Sequence, residues 1–138
     1  MKRYITLIIL MMVGLMVNAQ SYVIIVNKSN TTTTIAKKTI SNYFLKKAKK
    51  WDNGDKVIPI DLNSKSAVRV AFSKEIHNKS VSSVKSYWQQ YVFAGKGTPP
   101  VEKHSDEEVI SYVKNNPGAI GYISTDADVT GVNVVTVQ

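Results

Sequence analysis

The sequence predicts an α/β fold, a single domain built on a mostly parallel sheet. Three observations carry this. Two short β-branched runs, residues 22–26 and 57–60, are separated by a stretch of helical spacing. Further helical stretches follow them. Two more apolar runs, 119–123 and 132–137, close the chain. Strand, helix, strand, helices, strand is the order of an α/β domain whose strands are joined by crossovers. A chain of 138 residues can bury one core and hardly two.

The elements can be justified in order. Tyr22-Val-Ile-Ile-Val26 is continuously apolar, the mark of a strand covered on both faces. Threonines 31 to 34 offer N-caps for a helix over 35–47, whose inner face is Ile35, Ala36, Ile40, Tyr43 and Phe44. Trp51-Asp-Asn-Gly54 is a turn. Val57-Ile-Pro-Ile60 is a strand, and Pro59, lacking an amide donor, belongs at an edge or a strand end. After a polar loop over 61–66, Val68, Phe72 and Ile76 recur at helical spacing. Ser80 or Ser82 opens another helix, with Val81, Val84, Trp88 and Tyr91 on one face. Residues 93–100 are irregular. Ser105-Asp-Glu-Glu108 fits a capping box, with Glu108 reaching back. Asn116-Pro117-Gly118 stops that helix, Gly118 by adopting positive φ, and a slim strand follows in which Ala119 and Gly121 admit close neighbours.

The first residues read differently from the rest. Lys2-Arg3, an apolar run of roughly 13 residues and Val17-Asn18-Ala19 have the layout of a secretory signal peptide. The run is short of the roughly 20 residues that span a bilayer. The expectation is a signal peptide over 1–19, cleaved after Ala19, and a periplasmic domain over 20–138. There is no cysteine, which excludes a disulfide framework and a lipobox anchor. The formal charge is +8; without Lys2 and Arg3 there are 16 basic and 10 acidic residues, or +6. Such a charge attracts anions, and export directs the expectation away from nucleic acid. Lys46-Lys47-Ala48-Lys49-Lys50 reads as a solvated helix end.

Enzyme motifs are thin. The sequence has no G-x-S-x-G, no P-loop and no H-E-x-x-H, and His77 and His104 read as surface residues. Asp106, Glu107 and Glu108 open a helix, where carboxylates favour the dipole. No catalytic role, cofactor or metal is expected. The candidate site is the loop that ends a strand and opens a helix. In open α/β sheets ligands bind beyond the carboxyl ends of strands, and a helix start offers unpaired amides to an oxyanion. Asn63, Ser64, Lys65 and Ser66 lie there, and Arg69 could present a bidentate fork. Ser29, Asn30, Lys96 and Gly97 are additional candidates.

In order along the chain stand Tyr43-Phe44-Leu45-Lys46-Lys47, Trp51-Asp-Asn-Gly54, Val57-Ile-Pro-Ile60, Gly95-Lys-Gly97 and Asn116-Pro-Gly-Ala-Ile-Gly-Tyr122. This set resembles the PstS-like phosphate-binding proteins of bacterial ABC transporters. It is more similar still to their short single-domain relatives, in which R-x-x-F follows the loop, as Arg69 and Phe72 do, and YW precedes a GKG turn, as Tyr87-Trp88 do. The resemblance implies one lobe of a type II periplasmic binding protein, a three-layer domain that binds phosphate or a related oxyanion. The family's R-x-D-G-S-G-T, anchored on Phe72, places its serine on Ser66. Its arginine falls on Leu62, its aspartate on Ser64, its second glycine on Ala67 and its threonine on Val68.

The expected function is therefore that of an exported, non-enzymatic solute-binding protein that holds phosphate weakly at 63–69. A single lobe leaves the ion half hydrated, so a homodimer mate, an ABC permease or another envelope protein is the expected second face. The alternative is an envelope interaction module built on a lobe that has lost ligand binding, with its basic surface and Trp88, Tyr91 and Phe93 carrying the contacts.

Overall fold

A computed structural model describes residues 21–138, so the expected signal peptide lies outside the described residues. Strands β1 (Tyr22–Asn27), β2 (Thr34–Ile35), β3 (Ile58–Leu62), β4 (Val101–Lys103), β5 (Ala119–Ser124) and β6 (Val132–Val137) form one sheet in the order β2-β6-β1-β5-β3-β4. Helices α1 (Lys37–Phe44), α2 (Ala67–Phe72), α3 (Val81–Phe93) and α4 (Asp106–Asn115) accompany it, and α2 runs on into a π-helical turn, Ser73–His77. This is the expected three-layer α/β domain. Five strands point one way and β1 alone runs against both neighbours. The apolar run of β1 does signal burial on both faces, but here between antiparallel partners.

Aromatic side chains build the layer on the α2 face. Tyr122 stacks on Phe72 with centroids 3.8 Å apart, and Phe44 packs edge-on to Phe72 at 4.9 Å. Tyr22 meets Phe72 from β1 at 5.6 Å. On the opposite face α4 packs Val109 and Val113 over Gly121. A Cβ on Gly121 would lie 2.7 Å from Val109 Cγ1, so the slim strand has the close helix neighbour its sequence implied.

The junction ahead of β5 ties distant segments together. Trp51 Nε1 donates to the Gly118 carbonyl at 2.9 Å, and Ile58 N donates to the same oxygen at 2.9 Å. Gly118 does not take positive φ as expected. It is required because a Cβ there would sit 2.1 Å from the Lys56 carbonyl oxygen. The carbonyls ending α4 are taken up by side-chain amides. Asn116 Nδ2 donates to Tyr112 O at 2.8 Å, and Asn27 Nδ2 to Val113 O at 2.7 Å.

Several boundaries move. The threonines do not cap α1: Ala36 is its N-cap without a side-chain bond, and Thr34 instead pairs in β2 alongside β6. Helix α1 ends in a Schellman arrangement, with Lys46 N bonded to Tyr43 O and Lys47 N to Asn42 O. Lys46 occupies its left-handed position at φ 56°, where glycine is the usual residue and a lysine costs about 1 kcal/mol. β3 begins at Ile58 and extends through Asp61 and Leu62, so the polar loop is 63–66. Pro59 lies near the strand's start. Ile58 N points to β5 and Pro59 to the other side, where β4 pairs only from Ile60 onward, so no ladder bond is lost. Ser80 caps α3, and Ser105 caps α4 by accepting from Glu108 N. Glu108 reaches back one residue further than a capping box does, to His104 N at 2.9 Å. His77 is half-buried rather than a surface residue; its Nδ1 lies 2.7 Å from Ser41 Oγ and its ring meets Phe72 edge-on.

Both glycine contacts are testable in denaturant. Gly121→Ala should lower unfolding free energy by about 1–3 kcal/mol through overpacking against Val109. Gly118→Ala should cost more, because the clashing atom is a backbone oxygen that cannot rotate away.

Candidate functional site

The carboxyl ends of β3, β4 and β5 meet the starts of α2 and α4 at one end of the sheet. Asp61 and Glu102 are register partners on adjacent strands. Arg69, one turn into α2, reaches across to both. Its Nη1 donates to Leu62 O at 2.9 Å and to Glu102 Oε1, while Nη2 stands 4.0 Å from Asp61 Oδ2. Arg69 is 5% exposed and Asp61 6%. Tyr122 OH donates to Asp61 Oδ1 at 2.8 Å and accepts from Leu62 N at 3.2 Å.

The electrostatics follow from burial. Desolvation pushes the Asp61 carboxyl up to about 6, against the pull of Arg69 and the Tyr122 hydroxyl. Burial and the neighbouring carboxylate hold the Tyr122 phenol well above its ordinary range, so it stays a donor. Burial works against the Arg69 charge, but Asp61 and Glu102 more than offset it and raise its pKa. A buried pair of this kind costs about 3–5 kcal/mol when one partner is removed.

In front of this cluster lies a cleft of about 730 Å3 floored by Asp61, Arg69 and Glu102 and walled by Trp88, Val92, Phe93 and Pro100. Lys85 and Gln89 stand at its rim. It is roomy enough for a small molecule. Phe93 is 94% exposed and Val92 49%, a largely uncovered apolar end to α3.

The expected site residues distribute as follows. Ser66 caps α2, accepting from Arg69 N, and Asn63 Oδ1 accepts from Lys65 N at 3.0 Å, which shapes the loop. Asn63, Ser64, Lys65 and Ser66 thus adjoin Arg69 through the Leu62 carbonyl, but they do not line the cleft. Arg69 is neither solvated nor free: Nη1 is taken by Leu62 O and Glu102, and Nη2 faces the Asp61 carboxylate. Ser29 and Asn30 lie at the far end of the sheet, because β1 runs in reverse. Ser29 bonds the Asn27 side chain and Asn30 bonds Thr32 N. Lys96 and Gly97 line a different cavity, toward the start of β3. Asp61, Glu102 and Tyr122 were not anticipated. The apolar pattern ends the strand at Ile60 and gives Asp61 to the loop, whereas period-two alternation through Asp61 places its side chain on the Tyr122 face.

No family model and no curated protein matches this chain. Among solved structures, an ABC-type phosphate transport receptor from Vibrio cholerae superposes with a TM-score of 0.68 at 16% identity, over 85% of this chain and 46% of that one. A protein of Clostridium perfringens, solved with bound phosphate and described as a phosphate ABC transporter substrate-binding protein, gives 0.66 at 20%, over 85% and 44%. PstS from Borrelia burgdorferi gives 0.59 at 17%, over 86% and 47%. The chain spans less than half the length of the structures it matches.

Stability against pH should expose the two shifted groups. Asp61 titrates higher in the folded protein than its ordinary 3.8, so its contribution falls as pH rises through 4 to 6. Burial, then Arg69 and nearby lysines, lower His77 from 6.5 to about 4, so its contribution falls as pH drops through the same window. Asp61→Asn should therefore steepen the gain in unfolding free energy between pH 4 and 6, and His77→Gln should flatten it. Unchanged slopes in chemical denaturation would contradict both assignments.

Proposed function

We infer, from the fold it shares with one lobe of phosphate receptors, that the chain is an exported, non-enzymatic binding protein that holds phosphate or a related oxyanion weakly at the loop and helix start 63–69. The observation that carries the reading is a buried guanidinium at the carboxyl end of β3, beneath a loop that opens a helix. The first-turn amides of a helix have no carbonyl to reach within it. Ser64 and Ser66 add hydroxyls, and Lys65 adds charge to the approach.

The same geometry supports weak binding. Glu102 already accepts from Arg69 Nη1, and an incoming oxyanion competes with it. Each charge-assisted hydrogen bond contributes about 1.5–3 kcal/mol, and millimolar affinity needs about 4 kcal/mol. A second face supplied by a homodimer mate, a permease or another envelope protein would complete the enclosure. No helix among the described residues is long and apolar enough to cross a membrane. The exposed Phe93 and Val92 at the rim of the cleft favour one further reading, a docking module that no longer needs the anion.

Calorimetry separates the two. Phosphate should give millimolar binding to the wild type. Ser64→Ala with Lys65→Gln should weaken it several-fold, and Glu102→Gln should strengthen it about tenfold, which is about 1.4 kcal/mol. No heat with millimolar phosphate, for wild type and Glu102→Gln alike, would eliminate the anion site and leave the docking module.

A further inference from the structure

A second cavity, of about 460 Å3, opens beside the start of β3, away from the loop 63–66. Lys46, Lys49, Lys56 and Lys96 all line it, and no acidic side chain does so among the described residues. The four come from three separate segments: the end of α1, the approach to β3 and the GKG turn. Sequence proximity therefore explains only one pair. Tyr43, Tyr91 and Tyr112 form its walls, with Thr98 adding a hydroxyl.

The lysines are gathered against their mutual repulsion. Lys46 is half-buried, and desolvation, then Lys56 and Lys49, lower its pKa. It also holds the left-handed turn position that a glycine would fill without strain. Lys46 is the end of a helix, where a cation is favoured, but that dipole acts on the last turn of α1 alone. It does not bring Lys56 and Lys96 to the same walls.

We propose that this cavity is a binding site for a compact anion with two or more linked phosphoryl groups. Orthophosphate carries too little charge to neutralise four ammonium groups, whereas a short phosphate chain carries enough. Lysine ammoniums act as separate point charges rather than a planar fork, which suits a chain of tetrahedral groups over one flat carboxylate. The cavity's size admits such a chain. This site is independent of the one at 63–69.

Calorimetry at constant ionic strength with tripolyphosphate and with orthophosphate tests the proposal. Tripolyphosphate should bind the wild type at least tenfold more tightly than orthophosphate. The double variant Lys46→Asn, Lys56→Gln should lose at least tenfold of that affinity; asparagine tolerates the left-handed turn, and an unchanged melting temperature would verify folding. Ser64→Ala with Lys65→Gln should leave tripolyphosphate binding unchanged. A control pair of the same charge, Lys28→Gln with Lys74→Gln, should have less than threefold effect. Equal affinity for the two anions, or equal loss in the control pair, would overturn the site in favour of diffuse attraction to a basic surface.

Discussion

Tyr122 is the contact on which the rest of the domain hangs. Its ring lies flat on Phe72, which fixes α2 to the sheet, and its hydroxyl bridges Leu62 N and the Asp61 carboxylate. One side chain from β5 thus sets the height of α2 and the position of the charged end of β3. Arg69 follows from both, because its backbone belongs to α2 and its guanidinium must reach Leu62 and Glu102. Loss of the phenol would remove a stacking surface and leave a buried carboxylate short of a donor. Packing and electrostatics are therefore set by the same residue.

The charged floor is internally paired rather than open. A guanidinium at the carboxyl end of a strand has the geometry to grip an oxyanion. Here Glu102, half exposed and on the edge strand, already grips it. Asp61 supplies a second negative charge from within. These carboxylates stabilise the arginine in the absence of ligand and reduce what an external anion can gain. The lysines that line the second cavity present the opposite situation, cations with no acidic side chain in that lining among the described residues.

Much of the fold was legible because apolar spacing is strong where elements are long. The cores of α3 and α4, their serine caps, and strands β1, β5 and β6 stand where periodicity put them. β4 was illegible: Val101-Glu-Lys103 is a short edge strand with no apolar run. β2 was hidden inside a threonine run whose chemistry suits caps and strands alike. At the site, Ser66 and Arg69 lie at the helix start that the sequence indicated. The occupation of Arg69 was invisible, since Glu102 is 33 residues away and only the parallel register of β3 and β4 brings it alongside. The places of Ser29 and Asn30 turned on strand direction, which an apolar run does not encode.

The reversal of β1 also decides where the chain enters and leaves. Ile24 lies opposite Val135 on antiparallel neighbours. Continued beyond its last pair, that register brings Tyr22 toward Val137, at the end of the sheet where the parallel strands finish. Adjacent antiparallel residues are only about 5 Å apart. The domain is thus topologically nearly a ring, and a short linker joining residue 138 to residue 21 would allow circular permutation, with new ends cut in a distant turn.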